Sequence, residues 1–113
     1  MQITGSASST GGNQQVKVII DDGVKVSTYD VALIQMETAF DALKHVASVD
    51  YNMYSTGIFI TGINGIKQNT GHYWMFFVND EMPDVGSDFY YPVSGDVIKF
   101  KYMTAEEAAG YFQ

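Results

Sequence analysis

Histidines, carboxylates and hydroxyls are the side chains of this chain with reactive potential, and their spacing limits what they can do. His45 and His72 are far apart and match no paired-ligand pattern such as His-Glu-x-x-His. A neutral imidazole at His72, beside an aromatic run, is able to ligate a metal or cobalt, whereas a solvated or hydrogen-bonded histidine is the competing reading. Asp80, Glu81, Asp84 and Asp88 fall in one short stretch, and carboxylate oxygens are what calcium prefers. They do not follow the EF-hand pattern, and a solvated acidic loop explains them without a metal. Asp21-Asp22 and Glu106-Glu107 are adjacent pairs whose side chains diverge. No nucleophile elbow surrounds any serine. Gly62-Ile63-Asn64-Gly65 lacks the Lys-Ser/Thr that phosphate chemistry needs. Neither catalysis nor a metal centre is expected.

Binding is better supplied. The chain's single Trp lies in Gly71-His72-Tyr73-Trp74-Met75-Phe76-Phe77-Val78-Asn79-Asp80, which follows Gly57-Ile58-Phe59-Ile60-Thr61-Gly62-Ile63-Asn64-Gly65-Ile66. In a strand, Trp74, Phe76 and Val78 share one face and Tyr73, Met75 and Phe77 the other. One set packs on a helix. The other either lies beneath loops or forms an exposed aromatic strip with Tyr51, Tyr54, Tyr90 and Tyr91. Such a strip suits a flat, partly apolar ligand, since Tyr and Trp bury area while keeping a polar handle.

Composition narrows the partners. The chain has 113 residues, 46% hydrophobic and 14% aromatic, enough for one domain with a modest core. A net charge of −7 repels nucleic acid and anionic lipid, so neither is an expected partner. With no cysteine, disulfides and thiolate chemistry are absent. No run of apolar residues reaches the length of a membrane span, so insertion of this chain into a membrane is not expected. Residues 1–15, containing Gly5-Ser6-Ala7-Ser8-Ser9-Thr10-Gly11-Gly12-Asn13, read as a flexible tether. Such a stretch is common after a lipoprotein anchor, and a cloning remnant behind Met1 has the same look.

The elements that hold these residues follow from periodicity. Val16-Lys17-Val18-Ile19-Ile20 is a strand, Asp21-Asp22-Gly23 a turn, and the alternating segment from Val24 to about Gln35 its hairpin partner. Thr38 is the expected N-cap of a helix over 39–48, with Asp41 at N3 and an apolar stripe of Ala39, Phe40, Ala42, Leu43, Val46 and Ala47. Residues 48–56 read as a polar, Tyr-rich connection. Strands follow at 58–61 and 73–78, separated by the Ile63-Asn64-Gly65-Ile66 turn, while 82–93 is either strand or loop. Ser94-Gly95-Asp96 turns into a last alternating strand at 97–102. Thr104 and Glu107 form a capping box for a short helix over 105–109.

A hairpin, a helix and three further strands is the element order of a ubiquitin-like sheet. The glycine-strand-Ile-Asn-Gly-Tyr-Trp order, with Ser94-Gly95-Asp96 before the last strand, resembles the carboxy-terminal β-domain of the transcobalamin and intrinsic-factor family and similar bacterial surface domains. The resemblance covers about residues 16–103, with 104–113 as a helical tail. It implies an α+β, β-grasp-like mixed sheet of about five strands packed on one helix. It also implies a non-catalytic, extracytoplasmic binding module, secreted or at the cell surface, for a corrinoid such as cobalamin or another small, partly apolar ligand. In that family the β-domain covers one side of the corrin, and the positions that match its contact segments are Ile63, Asn64, Gly65, Tyr73 and Trp74. The family's helical domain, which closes over the ligand, has no counterpart in this chain. The alternative is a structural or adhesion module contacting a surface protein or wall polymer.

Overall fold

The computed structural model describes residues 14–110. The tether read over 1–15 therefore lies outside the described residues except for Gln14 and Gln15, which open the first strand. Residues 111–113 of the tail also lie outside them.

Strands β1 (Gln14–Asp21) and β2 (Val26–Leu33) form the antiparallel hairpin read from their alternation. β1 also pairs in parallel with the last strand, β7 (Val97–Thr104), which pairs antiparallel with β6 (His72–Val78). The resulting four-stranded sheet has the order β2-β1-β7-β6. Between β2 and β6 run helix α1 (Ala39–Val46) and a second sheet of β3 (Val49–Tyr54), β4 (Gly57–Ile63) and β5 (Ile66–Lys67), in that order. Helix α2 (Ala105–Ala109) follows β7 directly. Among the described residues no helix is long and apolar enough to cross a membrane.

Period-two alternation decides which face of the large sheet is dry. Val16, Val18 and Ile20 of β1, Ile98 and Phe100 of β7, and Trp74 of β6 point into one core with Val31 and Leu33 of β2. α1 covers that core with Ala39, Phe40, Ala42 and Leu43, and β4 adds Ile60 and Ile63. Two of the first N–H groups of α1, which have no partner within a helix, are met by the loop before β7. Ala39 donates to the Tyr90 carbonyl and Phe40 to the Ser87 carbonyl, both at 2.9 Å. Thr38 and Asp41 complete the cap reciprocally.

The expectation of about five strands on one helix differs from the mixed α+β arrangement of the described residues, which hold seven strands in two sheets and two helices. The largest departure is β3, read as a connection because no apolar alternation marks it. It is an edge strand with Asp50 to Tyr54 all exposed, so no buried face imprints a pattern on its sequence. Segment 82–93 is a loop without strand pairing. α1 ends two residues early because Ala47 turns to extended backbone while its N–H still donates to Leu43.

One buried carboxylate organises the loop that caps α1. Asp96, 6% exposed, accepts hydrogen bonds from Tyr90 Oη (2.7 Å), Val93 N–H (3.0 Å) and Asn79 Nδ2 (3.0 Å). Burial acts to raise its pKa, but these donors outweigh that and hold the carboxyl below the ordinary aspartate range. Burial first, then the hydrogen bond to Asp96 and its charge, push the Tyr90 phenol up to about 12, so it stays a donor. A depressed carboxyl stabilises the fold above the ordinary aspartate pKa of 3.8, and that contribution is lost as pH falls through the lower folded value. The raised phenol contributes below 10.0 and its share is lost as pH climbs from there toward 12. Asp96→Asn is therefore expected to cost about 2 kcal/mol at pH 7, the scale of hydrogen bonds to a charged acceptor. Urea denaturation is the check, and the deficit should shrink as pH falls below 3.8 toward the lower value at which the folded carboxyl protonates.

Candidate functional site

The Ile63-Asn64-Gly65-Ile66 turn is where the resemblance places ligand contact, and its shape follows from two residues. Asn64 has φ 52° and Gly65 φ 84°, the pair of positive values that a two-residue turn needs to match strand twist. A Cβ on Gly65 would meet nothing within 4 Å, so glycine is required there by backbone angle and not by crowding. Asn64 is tied to the end of α1's connection: its N–H donates to Ser48 O at 2.8 Å, and Ser48 N–H donates to Asn64 Oδ1 at 3.0 Å.

Behind the turn, two aromatic donors from the large sheet hold the small one. Trp74 Nε1–H donates to Ile66 O at 2.8 Å, and Tyr102 Oη donates to Lys67 O at 2.6 Å. The two rings lie 5.0 Å apart, and His72 stacks on Tyr102 at the same distance. His72 is thus a ring partner in this stack.

A second turn faces the first. Asp22 Oδ1 accepts from Val24 N–H (2.9 Å) and Lys25 N–H (2.8 Å), and Gly23 N–H donates to Asp21 Oδ1. The Lys25 and then the Val24 backbone bonds hold the Asp22 carboxyl below its ordinary range. Between the turns is a cavity of about 150 Å³. Ile20, Ile63 and Ile66 give it apolar surface, while Ser27, Tyr29, Asn64, Lys25 and Asp22 bring hydroxyl, amide, ammonium and carboxylate groups. With Ile20 and Ile63 themselves buried, the lining is mainly polar, which suits a small ligand portion rich in hydrogen-bonding groups.

Of the residues singled out from sequence, Ile63 and Asn64 line this cavity, and Gly65 shapes the turn that carries Asn64. Trp74 is 7% exposed and serves from behind through Ile66. Tyr73 alternates to the opposite face of the sheet, beside Met103. Sequence reasoning missed Lys25, Ser27 and Tyr29. Tyr29 has the parity of Val31 and Leu33, a signal that it faces inward, but nothing local shows which segment it meets. Several of the other candidates have structural partners. Asp80 pairs with Lys99 at 3.1 Å, Asp88 accepts from Ile58 N–H, and His45 lies 2.9 Å from Glu37. Among the described residues no three His, Asp or Glu are grouped to hold a metal ion. Of the tyrosines, Tyr51 packs edge-on against Phe40, Tyr90 is bound to Asp96, and Tyr54 and Tyr91 are exposed.

The same fold occurs in solved structures. Haptocorrin in complex with cobinamide superposes with a TM-score of 0.76 and 14% identity over 88% of this chain. The match covers 27% of haptocorrin, so this chain spans about a quarter of that protein. A Ruminococcus gnavus protein to which metal binding is attributed superposes with a TM-score of 0.71 and 14% identity, over 81% of this chain and 98% of that one. No curated protein matches the sequence. A family model described as "Domain of unknown function (DUF4430)" matches residues 37–104.

The turn geometry carries a direct consequence. Gly65→Ala is expected to lower stability by about 1 kcal/mol through left-handed backbone strain alone, and Gly65→Asn by less, since asparagine tolerates that region. Thermal denaturation of both variants checks the order.

Proposed function

We propose, for a chain that belongs to the DUF4430 family, a non-catalytic binding module that contributes one face of a composite ligand site. The ligand-facing surface is the pair of turns at Asp22–Lys25 and Asn64–Gly65 with the cavity between them. The observation that carries this reading is the meeting there of Ile63 and Asn64, expected from sequence to touch ligand, with Lys25, Ser27 and Tyr29 of the first hairpin. A corrinoid is the ligand class proposed: its flat macrocycle carries amide-bearing side chains, and one such polar arm suits a small cavity lined by hydroxyl, amide and charged groups. Haptocorrin, with the same fold over a quarter of its length and cobinamide bound, supports the choice. A second body, in the same protein or another, would cover the ligand's other side.

The fold reading within this proposal is β-grasp-like, supported by the parallel pairing of the first and last strands around α1. Placement outside the cytoplasm belongs to the same proposal and is supported by the Gly- and Ser-rich stretch at 5–13 together with the resemblance.

Calorimetric titration with cobinamide and with cyanocobalamin tests the proposal, with absorbance-corrected Trp74 fluorescence as a second readout. The expected result is saturable binding with Kd on the order of 10 µM, about −7 kcal/mol. Tyr29→Phe should weaken binding about fivefold, the scale of one hydrogen bond. Absence of heat and of quenching at millimolar ligand would rule out the corrinoid.

A further inference from the structure

Away from that cavity, β6 has an edge that no described strand pairs with. His72 exchanges both backbone hydrogen bonds with Asn69 (3.2 and 3.1 Å), and Val78 does the same with Glu81 (2.8 and 3.0 Å). Neither partner is in β7, so the peptide groups of His72 and Val78 point away from that strand. Peptide groups alternate sides along a strand, and Trp74 and Phe76 therefore point the same way. Among the described residues their N–H and C=O groups have no partner on that side, since β6 ends the order β2-β1-β7-β6. Two donors and two acceptors thus stand open, bracketed by closed bridges at either end of the strand.

Beside this edge lies a cleft of about 230 Å³ lined by Ile58, Ile60, Phe76, Met82, Pro83 and Val85. Ile58 and Ile60 come from the part of β4 that β5 does not reach, because β5 pairs only with Gly62 and Ile63. No charged side chain lines the cleft. Glu81 and Asp84 sit on the adjoining loop, and their carboxylates make no ion pair among the described residues.

We propose that the β6 edge takes an extended peptide segment as an added strand, with apolar side chains seated in the cleft and basic residues flanking them. An extended chain presents donors and acceptors at every second residue, the repeat that Trp74 and Phe76 offer. Its alternate side chains would all enter the apolar cleft. The basic flank follows from Glu81, Asp84 and the net charge of −7. That same charge disfavours a second copy of this chain as the occupant. This site is separate from the corrinoid proposal and does not depend on it.

The test uses the isotopically labelled domain and capped seven-residue peptides with Lys at both ends and Thr alternating with Val, Leu or Phe. Amide hydrogen exchange read by NMR should slow about tenfold or more at Trp74 and Phe76 when peptide saturates the site, as expected for amides newly held in a ladder. N-methylation of the peptide amides that face β6 should abolish binding while leaving every side chain in place. Val85→Asp, at a half-exposed position of the cleft, should weaken binding about tenfold, or 1.4 kcal/mol. Failure of all peptides to bind at millimolar concentration, equal binding of the N-methylated forms, protection at another strand, or peptide-independent protection that grows with protein concentration would each overturn the proposal.

Discussion

Two hydrogen bonds from aromatic rings hold this domain's two sheets in register. The indole of Trp74 and the phenol of Tyr102 reach from adjacent strands of the large sheet to consecutive carbonyls, Ile66 and Lys67, of the small one. β5 is two residues long and, among the described residues, pairs with β4 alone. The bond to Ile66 is part-buried and that to Lys67 exposed, so loss of the Trp74 donor is the costlier of the two. The rings also bury area against each other and against His72, so polar satisfaction and apolar packing are delivered by the same side chains. The Asn64–Gly65 turn begins where this clamp ends. Its position relative to the first hairpin is thereby fixed by groups that do not touch the proposed ligand.

The Asp96 cluster performs the equivalent task at the other end of the core. A buried carboxylate meets three donors and anchors a long loop without regular structure, whose carbonyls at Ser87 and Tyr90 then cap α1. Such networks are strong when every member is satisfied and costly when one is removed. The loop they fix also walls the cleft beside β6. A tight turn at Asn79-Asp80, with φ 52° and 68°, starts that loop and closes one end of the open strand edge.

Local periodicity made much of the fold legible. The stripe from Ala39 to Val46, the Thr38 and Thr104 caps and the alternation of β1, β6 and β7 each report a face that the structure buries. β3 was illegible because an exposed edge leaves no apolar imprint. The division into two sheets was illegible for another reason. It depends on ring-to-backbone hydrogen bonds between segments far apart in sequence, and no local pattern encodes them. At the candidate site, the turn at Asn64-Gly65 was visible because positive φ restricts residue choice. Lys25, Ser27 and Tyr29 were not, since their polar side chains look like any exposed hairpin until the opposite turn is placed beside them. Tyr73 and Trp74 show the converse: adjacent residues in a strand diverge by face, so a contiguous motif need not form a contiguous surface.

In the proposed function the ligand is met by two rigid turns, Asp22–Lys25 and Asn64–Gly65, whose spacing the core fixes. Pre-organised turns lose little conformational freedom on binding, which matters most for a surface that contributes only part of a site. Residue-resolved NMR shift mapping with cobinamide tests the central claim most directly. The account predicts saturable perturbations concentrated at residues 22–29 and 63–66, with the outer face at Tyr73 unaffected. Perturbations centred on the outer face or on the β6 edge, or none at saturating ligand, would contradict it.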